Sequence, residues 1–217
     1  MAYLIGQDLG LCFVADRAVA LDLRSGRYRG VGPRRATALK KAVASGEGQV
    51  LMGELRAAGL IGTEEVVTAL PVPWTAPKHS ASEEQCVARS SPIRALEVAW
   101  DVIRTWVVLR VKPFSWIVAR RRKLRLDGPS DVAVSSDRVR ELAQQFLRVR
   151  RLAPIEPVCL LDSLALAAFL ARRGVDVDVV LAVDLNPFEA HAWVQRGDWA
   201  LNETAHRAAM LTPILVI

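Results

Sequence analysis

A thiol, an imidazole and a carboxylate lie close together in the last third of the chain, in an order that suits nucleophilic chemistry. Cys159 opens the apolar run CLLDSLALAAFL, and His191 and Glu203 bracket the stretch AHAWVQRGDWALNE. The run from Cys159 reads as a helix to about Arg173, with Gly174 as its stop. A helix start stabilises an anion through its unpaired amides and its dipole, so a thiol placed there is acidified. The same amides suit the oxyanion of a tetrahedral intermediate. A lone cysteine is more often an inert small hydrophobe. What sets Cys159 apart is the rest of the constellation.

Those groups need a strand pair to carry them. Val177, Val179, Leu181, Val183 and Leu185 alternate as in a strand with one core face, Asn186-Pro187 turns the chain, and Ala190–Gln195 begins the next strand. Arg196-Gly197-Asp198 reads as the following hairpin loop, a pairing that sets Gln195 opposite Trp199, Trp193 opposite Leu201 and His191 opposite Glu203. Glu203 would then fix the imidazole tautomer and stabilise the imidazolium. Asp198 is the rival carboxylate, placed in the turn, and His79 and His206 are weaker alternatives to His191.

Upstream, Pro71 to Glu84 is rich in Pro, Ser and charge and reads as part of a linker over residues 71–89. Ser90-Ser91 before Pro92 signals a helix whose apolar stripe is Leu96, Ala99, Trp100, Ile103, Trp106 and Val107, with Trp100, Trp106 and Trp116 expected in the core or between domains. Pro113 breaks that helix, and a second covers about Phe114–Leu124. The basic run Arg120–Lys123 reads as a solvated helix end. After a Gly128-Pro129 loop, a third helix is capped near Ser135–Asp137 and buries Val139, Leu142, Ala143, Phe146 and Leu147. Pro154 and Pro157 keep the approach to Cys159 extended. The apolar tail from Ala208 to Ile217 is expected to add a last strand or to pack under the hairpin.

The first seventy residues have a different pattern. Short apolar runs at Tyr3–Ile5, Leu11–Val14 and Ala18–Leu23 read as an antiparallel meander, to which Arg27–Val31 adds a further short strand after the Ser25-Gly26 turn. Helices follow over Pro33–Val43 and about Gln49–Ala58. Strands followed by short helices make a winged-helix-like unit. The expected architecture is therefore α+β, with a winged-helix-like domain (1–70), a linker (71–89) and a catalytic domain with an antiparallel sheet (90–217).

Composition bounds these readings. At 52% hydrophobic and 24% charged the chain is globular, and its net charge of +6 fits arginine-rich solvated helices as well as a polyanionic partner. Three scattered cysteines, Cys12, Cys86 and Cys159, suggest neither a disulfide framework nor a zinc site. No secretory signal pattern and no membrane-length apolar run is read, so a cytoplasmic location without membrane association is expected.

Two resemblances sharpen the expectation. ALDLRSGRYRGVGPRRATALKKAV, with Leu21-Asp22-Leu23, the Gly26-x-Tyr28 turn and the helix after it, resembles the precursor-recognition element of peptide-modifying enzymes, a domain similar to the pyrroloquinoline-quinone chaperone. Cys159-Leu-x-x-Ser163-Leu-Ala-Leu, followed by a strand and Ala190-His191-Ala192-Trp193-Val194, resembles the lasso-peptide B proteins, which are leader peptidases with a transglutaminase-like, papain-like cysteine peptidase domain. The resemblance covers roughly residues 90–217, and the front domain fits the fused form of that family.

It implies a cysteine endopeptidase that binds the leader of a ribosomally made precursor and hydrolyses the leader–core bond, leaving macrolactam closure to a separate ATP-dependent lasso cyclase. Cys159, His191 and the position of Glu203 take the catalytic roles, with glutamate standing where the family has aspartate. The leader is expected to pair as a strand beside Ala18, Val19, Ala20, Leu21, Asp22 and Leu23 and to pack on the helix bearing Val50, Leu51, Glu54 and Leu55. Neither metal nor cofactor is implied, and no P-loop is present. Acyl transfer by the same triad and a leader-binding scaffold without activity are the alternatives. Binding of duplex DNA by a basic winged helix ranks last, because the basic residues are spread over both halves, and no nucleic-acid partner is expected.

Overall fold

The computed structural model describes residues 2–62, 68–84, 92–127 and 134–217. The expected Ser90-Ser91 cap, the Gly128-Pro129 loop and Cys86 lie outside them. Two five-stranded sheets form the frame. The first runs β4-β3-β2-β1-β5 and is antiparallel throughout, built from β1 (Ala2–Ile5), β2 (Leu9–Val14), β3 (Arg17–Asp22), β4 (Arg27–Val31) and β5 (Ala69–Pro71). Between β4 and β5 come α1 (Pro33–Ser45) and α2 (Gly48–Ala57). Pro33 sits in the first turn of α1, and Gly46 closes it in the left-handed region at φ 70°.

Alternation along these strands fills two cores. Ile5, Leu9, Leu11, Ala18, Ala20 and Val31 pack on Leu39, Leu51 and Leu55 of α1 and α2. Cys12, Val19 and Leu21 point the other way, into the core of the C-terminal half. The two halves therefore share a continuous apolar interior. Gly10 marks the seam: a Cβ there would stand 2.9 Å from the Ile214 carbonyl oxygen, so only glycine permits that approach.

The second sheet runs β10-β7-β8-β9-β6. It comprises β6 (His79–Ser80), β7 (Asp178–Leu185), β8 (Phe188–Arg196), β9 (Trp199–Ala200) and β10 (Thr212–Val216), and is antiparallel except for the β6–β9 pair. Around it lie α3 (Pro92–Val111), α4 (Phe114–Asp127), α5 (Ser136–Arg150), α6 (Cys159–Ala171) and the short α7 (Ala205–Met210). The tail supplies β10, with Ile214, Leu215 and Ile217 buried. Within the expected linker, Pro71 belongs to β5 and His79-Ser80 pair with β9. Trp74 anchors this stretch, because its indole N–H and that of Trp193 both donate to Gln195 Oε1, at 3.0 and 3.1 Å. Gln195 Nε2 in turn donates to the carbonyls of Thr75 and Gly197. The buried amide is fully used, as burial requires.

Three expectations need correction. Most of the stripe expected to be buried on α3 faces outward, with Leu96 73% and Trp100 63% exposed and Ile103 and Val107 also open, while Trp106 packs against the core that Val98 and Val102 fill. Trp116 is also partly open, at 38%. Both faces of α3 are apolar, so periodicity alone does not say which one the fold covers. The third correction concerns β3, which is flanked by β2 and β4 and so has no open edge for an added strand beside Ala18–Leu23. The edges of this sheet, among the described residues, are β4 and the three-residue β5. No helix among the described residues is long and apolar enough to cross a membrane.

Candidate active site

Cys159 is the first residue of α6, after an extended Val158 at φ −134° and ψ 130°. The approach is held by Arg150, only 4% exposed at the end of α5. Its guanidinium donates to Asp162 Oδ1 at 2.6 Å and to the carbonyls of Ile155 and Glu156 at 3.0 and 3.3 Å. One arginine thus ties the loop before the cysteine to the first turn of the cysteine's own helix. Burial pushes the Asp162 carboxyl up despite the arginine beside it.

The hairpin after α6 departs from the expected register. Arg196 pairs with Trp199 and Gln195 with Ala200, so the loop is the two-residue Gly197-Asp198, with Gly197 at φ 58°. The ladder then stops at Ala200. Strict continuation would have put Glu203 opposite Ala192 and on the wrong face. Instead the chain bends away after Leu201, whose amide still donates to the Val194 carbonyl at 2.8 Å. The bend carries Glu203 to His191, with 2.5 Å between Glu203 Oε2 and His191 Nε2. Asp198 stays in the turn, 3.9 Å from His79, and His206 is exposed on α7.

Where β9 leaves the edge of β8, the start of α6 takes its place. The Ala192 amide donates to the Cys159 sulfur, and so does the Leu160 amide. The Ser163 hydroxyl donates to the Ala192 carbonyl at 3.0 Å. Asn202 fills the next position: its Oδ1 accepts from the Val194 amide at 2.6 Å, and its Nδ2 donates to Ser163 Oγ at 3.0 Å. Ser163 follows Cys159 by about one helical turn and so falls on the same side of α6. This edge locks the thiol against the strand that carries His191.

Electrostatics follow from the geometry. The hydrogen bond from His191 holds the Cys159 thiol below its ordinary value, against the burial that would raise it. The His191 imidazole is held above its ordinary value, first by that bond and then by the charges of Cys159 and Glu203. Glu203 takes Nε2, which leaves Nδ1 for the sulfur. The Glu203 carboxylate also accepts the Thr204 amide at 2.7 Å, and its backbone carbonyl accepts the Ser80 hydroxyl at 2.7 Å. His191 and Glu203 are each 14% exposed, so the pair acts where water screens it weakly. The arrangement can hold a thiolate–imidazolium pair, attack a carbonyl carbon and return a proton to a leaving group.

Spacing alone singles out Cys159, His191 and Glu203, and the fold brings all three together. The supporting residues Asn202, Ser80, Thr204 and Arg150 gave no comparable signal, although Asn202 adjoins Glu203 and Ser163 sits inside the cysteine motif. Of the residues expected to line a leader groove, Ala18, Val19, Ala20, Leu21, Leu23, Leu51 and Leu55 are buried, Asp22 and Glu54 are partly exposed, and Val50 is 46% exposed. Asp22 is occupied locally, accepting from the Ser25 hydroxyl at 2.7 Å.

Comparison with known proteins agrees with this geometry at the level of the domain. No curated protein and no solved structure gives a significant match. The model of the transglutaminase-like superfamily, which includes cysteine peptidases and acyltransferases, matches residues 102–216, more than half of the chain and a span that holds Cys159, His191 and Glu203. The chain belongs to the transglutaminase-like superfamily.

Proposed function

We propose that this protein is a cysteine endopeptidase that removes the leader of a ribosomally made lasso-type precursor, with Cys159 as nucleophile, His191 as acid–base and Glu203 as the group that orients His191. The observation that carries the reading is the Cys159–His191–Glu203 chain of hydrogen bonds at the start of α6. The thiolate attacks the scissile carbonyl, and the first-turn amides of α6 would receive the oxyanion. The imidazolium gives its proton to the departing amine, the C–N bond breaks and a thioester remains. Neutral His191 then takes a proton from water, hydroxide adds to the thioester, and the thiolate leaves as the leader carboxylate forms.

The front sheet supports a peptide substrate. Of its two edges, β4 is the longer, at five residues against three in β5, and is followed in sequence by α1, so an extended leader segment can add there as a sixth strand. Leader capture thus moves from the interior strand β3 to Arg27–Val31. A winged-helix-like, pyrroloquinoline-quinone-chaperone-like role for this part of the chain rests on its strand–helix order and its sequence motifs. The freed core amine would pass to a separate ATP-dependent cyclase.

The test is mass spectrometry of a precursor peptide incubated with the wild type and with Cys159→Ala, with and without the cyclase. Release of an intact leader acid by the wild type alone supports the peptidase. A leader released as an amide of an added amine identifies an acyl transferase. Binding without cleavage in every mixture would make the protein a scaffold.

A further inference from the structure

One residue of the front sheet reaches toward the peptidase site. Tyr28 lies on β4 and is partly buried against the core of the C-terminal half. Its ring meets the Phe188 ring edge-on, with centroids 5.7 Å apart at 63°. Phe188 opens β8 and is 53% exposed. Alternation puts Phe188 on the same face of β8 as Ala190 and Ala192, and the Ala192 amide donates to the Cys159 sulfur. Beyond the ring, this face carries the partly buried Ala190 and then the buried Ala192 beside the nucleophile. Val158, 53% exposed, and the partly buried Leu160 adjoin Cys159 in the chain. Burial pushes the Tyr28 hydroxyl up to about 12, and the Cys159 charge adds to the rise, so the two groups lie within electrostatic reach of each other. The position is fixed from behind: β10 is wedged against β2 at Gly10, and the turn at Gly26 lies against Phe114, with 3.8 Å from a Cβ built there to the Phe114 Cβ.

We propose that Tyr28 and Phe188 wall an aromatic subsite beside Cys159, which makes Tyr28 a specificity-determining residue lent by the front sheet to the peptidase. The subsite takes a large apolar side chain next to the reacting carbonyl, since its walls are two rings, Ala190, Val158 and Leu160. It rests on Cys159 being the nucleophile of the proposed peptidase. Because Tyr28 belongs to the edge strand proposed to hold the leader, binding and cleavage would share one wall.

The test uses the intact protein and two small electrophiles, N-benzyl and N-methyl chloroacetamide, with labelling of Cys159 followed by peptide mass mapping. The wild type is expected to prefer the benzyl reagent by about tenfold over free cysteine's own ratio, the scale of one aromatic contact. Phe188→Ala and Tyr28→Ala should lose that preference while the methyl rate stays within about twofold, and Tyr28→Phe should keep it. Phe188 is exposed enough for its truncation to leave the fold intact. Tyr28→Leu replaces Tyr28→Ala if the latter melts early. Unchanged preference in the Phe188 and Tyr28 variants overturns the subsite. If the methyl reagent labels Cys159 no faster than free cysteine, the nucleophile assignment has failed. The benzyl-to-methyl ratio, being independent of absolute reactivity, still reports on the wall.

Discussion

Cys12 and Cys159 are the same side chain in opposite surroundings. Cys12 is fully buried in the middle of β2, at the seam between the two halves, and burial pushes its thiol up to about 12. Cys159 stands half-open at a helix start, bonded to an imidazole and two amides, and is held below its ordinary value. Residue type supplies a thiol in both places. Only at Cys159 does the fold supply the partners that make a thiolate, so reactivity here belongs to the strand edge and helix start that meet around the sulfur.

Replacing each cysteine should separate the two roles most sharply. Cys159→Ala is expected to abolish turnover, a loss on the order of 10⁴-fold or more, with the melting temperature almost unchanged. Cys12→Ala should leave turnover per folded molecule intact and cost about 1 kcal/mol in denaturant unfolding, the scale of a small core cavity. Loss of turnover in Cys12→Ala at full stability would break the comparison.

Glu203→Gln tests what acidifies Cys159. It keeps the shape but removes the charge behind His191, and should lower kcat by about 10²- to 10⁴-fold. The pH profile should move as well. In the wild type the ion pair exists between the lowered thiol value and the raised imidazole value, so activity falls as pH drops through the first and again as pH rises through the second. Without the carboxylate the imidazolium is less stable and the thiolate less favoured. Both limbs should then draw together, narrowing the active window seen in kcat/KM against pH.

Stability variants probe the scaffold on the Cys159 side. Arg150→Ala leaves Asp162 without its cation beside the nucleophile, at side-chain exposures of 5% and 16% for the pair. A loss of about 3 kcal/mol in urea unfolding is expected. Asn202→Ala frees the Val194 amide and one bond to Ser163, and should cost about 1–2 kcal/mol. It should also reduce kcat, because Ser163 and Asn202 hold α6 against β8. An unchanged kcat would show that this edge holds the fold but not the chemistry.

Local signals made the chemistry easier to read than its supports. Cys159 at a helix start follows from an apolar run with Gly174 behind it, and His191 from a strand after a turn. Glu203 reaches the histidine by a route spacing does not encode. The loop is one residue shorter than the pattern suggests, and a bend after the short β9 restores the meeting. The front sheet shows the complementary limit. Alternation finds β3, and the Ser25-Gly26 turn announces β4, but only strand order reveals that β4 closes one edge of β3 and opens another. On α3, apolar residues on both faces leave the sequence undecided between Val98–Val102 and Leu96–Trp100. The Arg150–Asp162 tie links residues twelve positions apart on different helices, a contact fixed by tertiary packing alone.

The most direct test of the activated thiol is iodoacetamide labelling of the folded protein across pH, with Cys12 and Cys159 quantified separately by peptide mass mapping. An activated Cys159 predicts that it labels faster than free cysteine well below neutral pH, that Glu203→Gln shifts its inflection upward, and that Cys12 stays unlabelled until the protein unfolds. A Cys159 profile that matches free cysteine and ignores Glu203→Gln would contradict it.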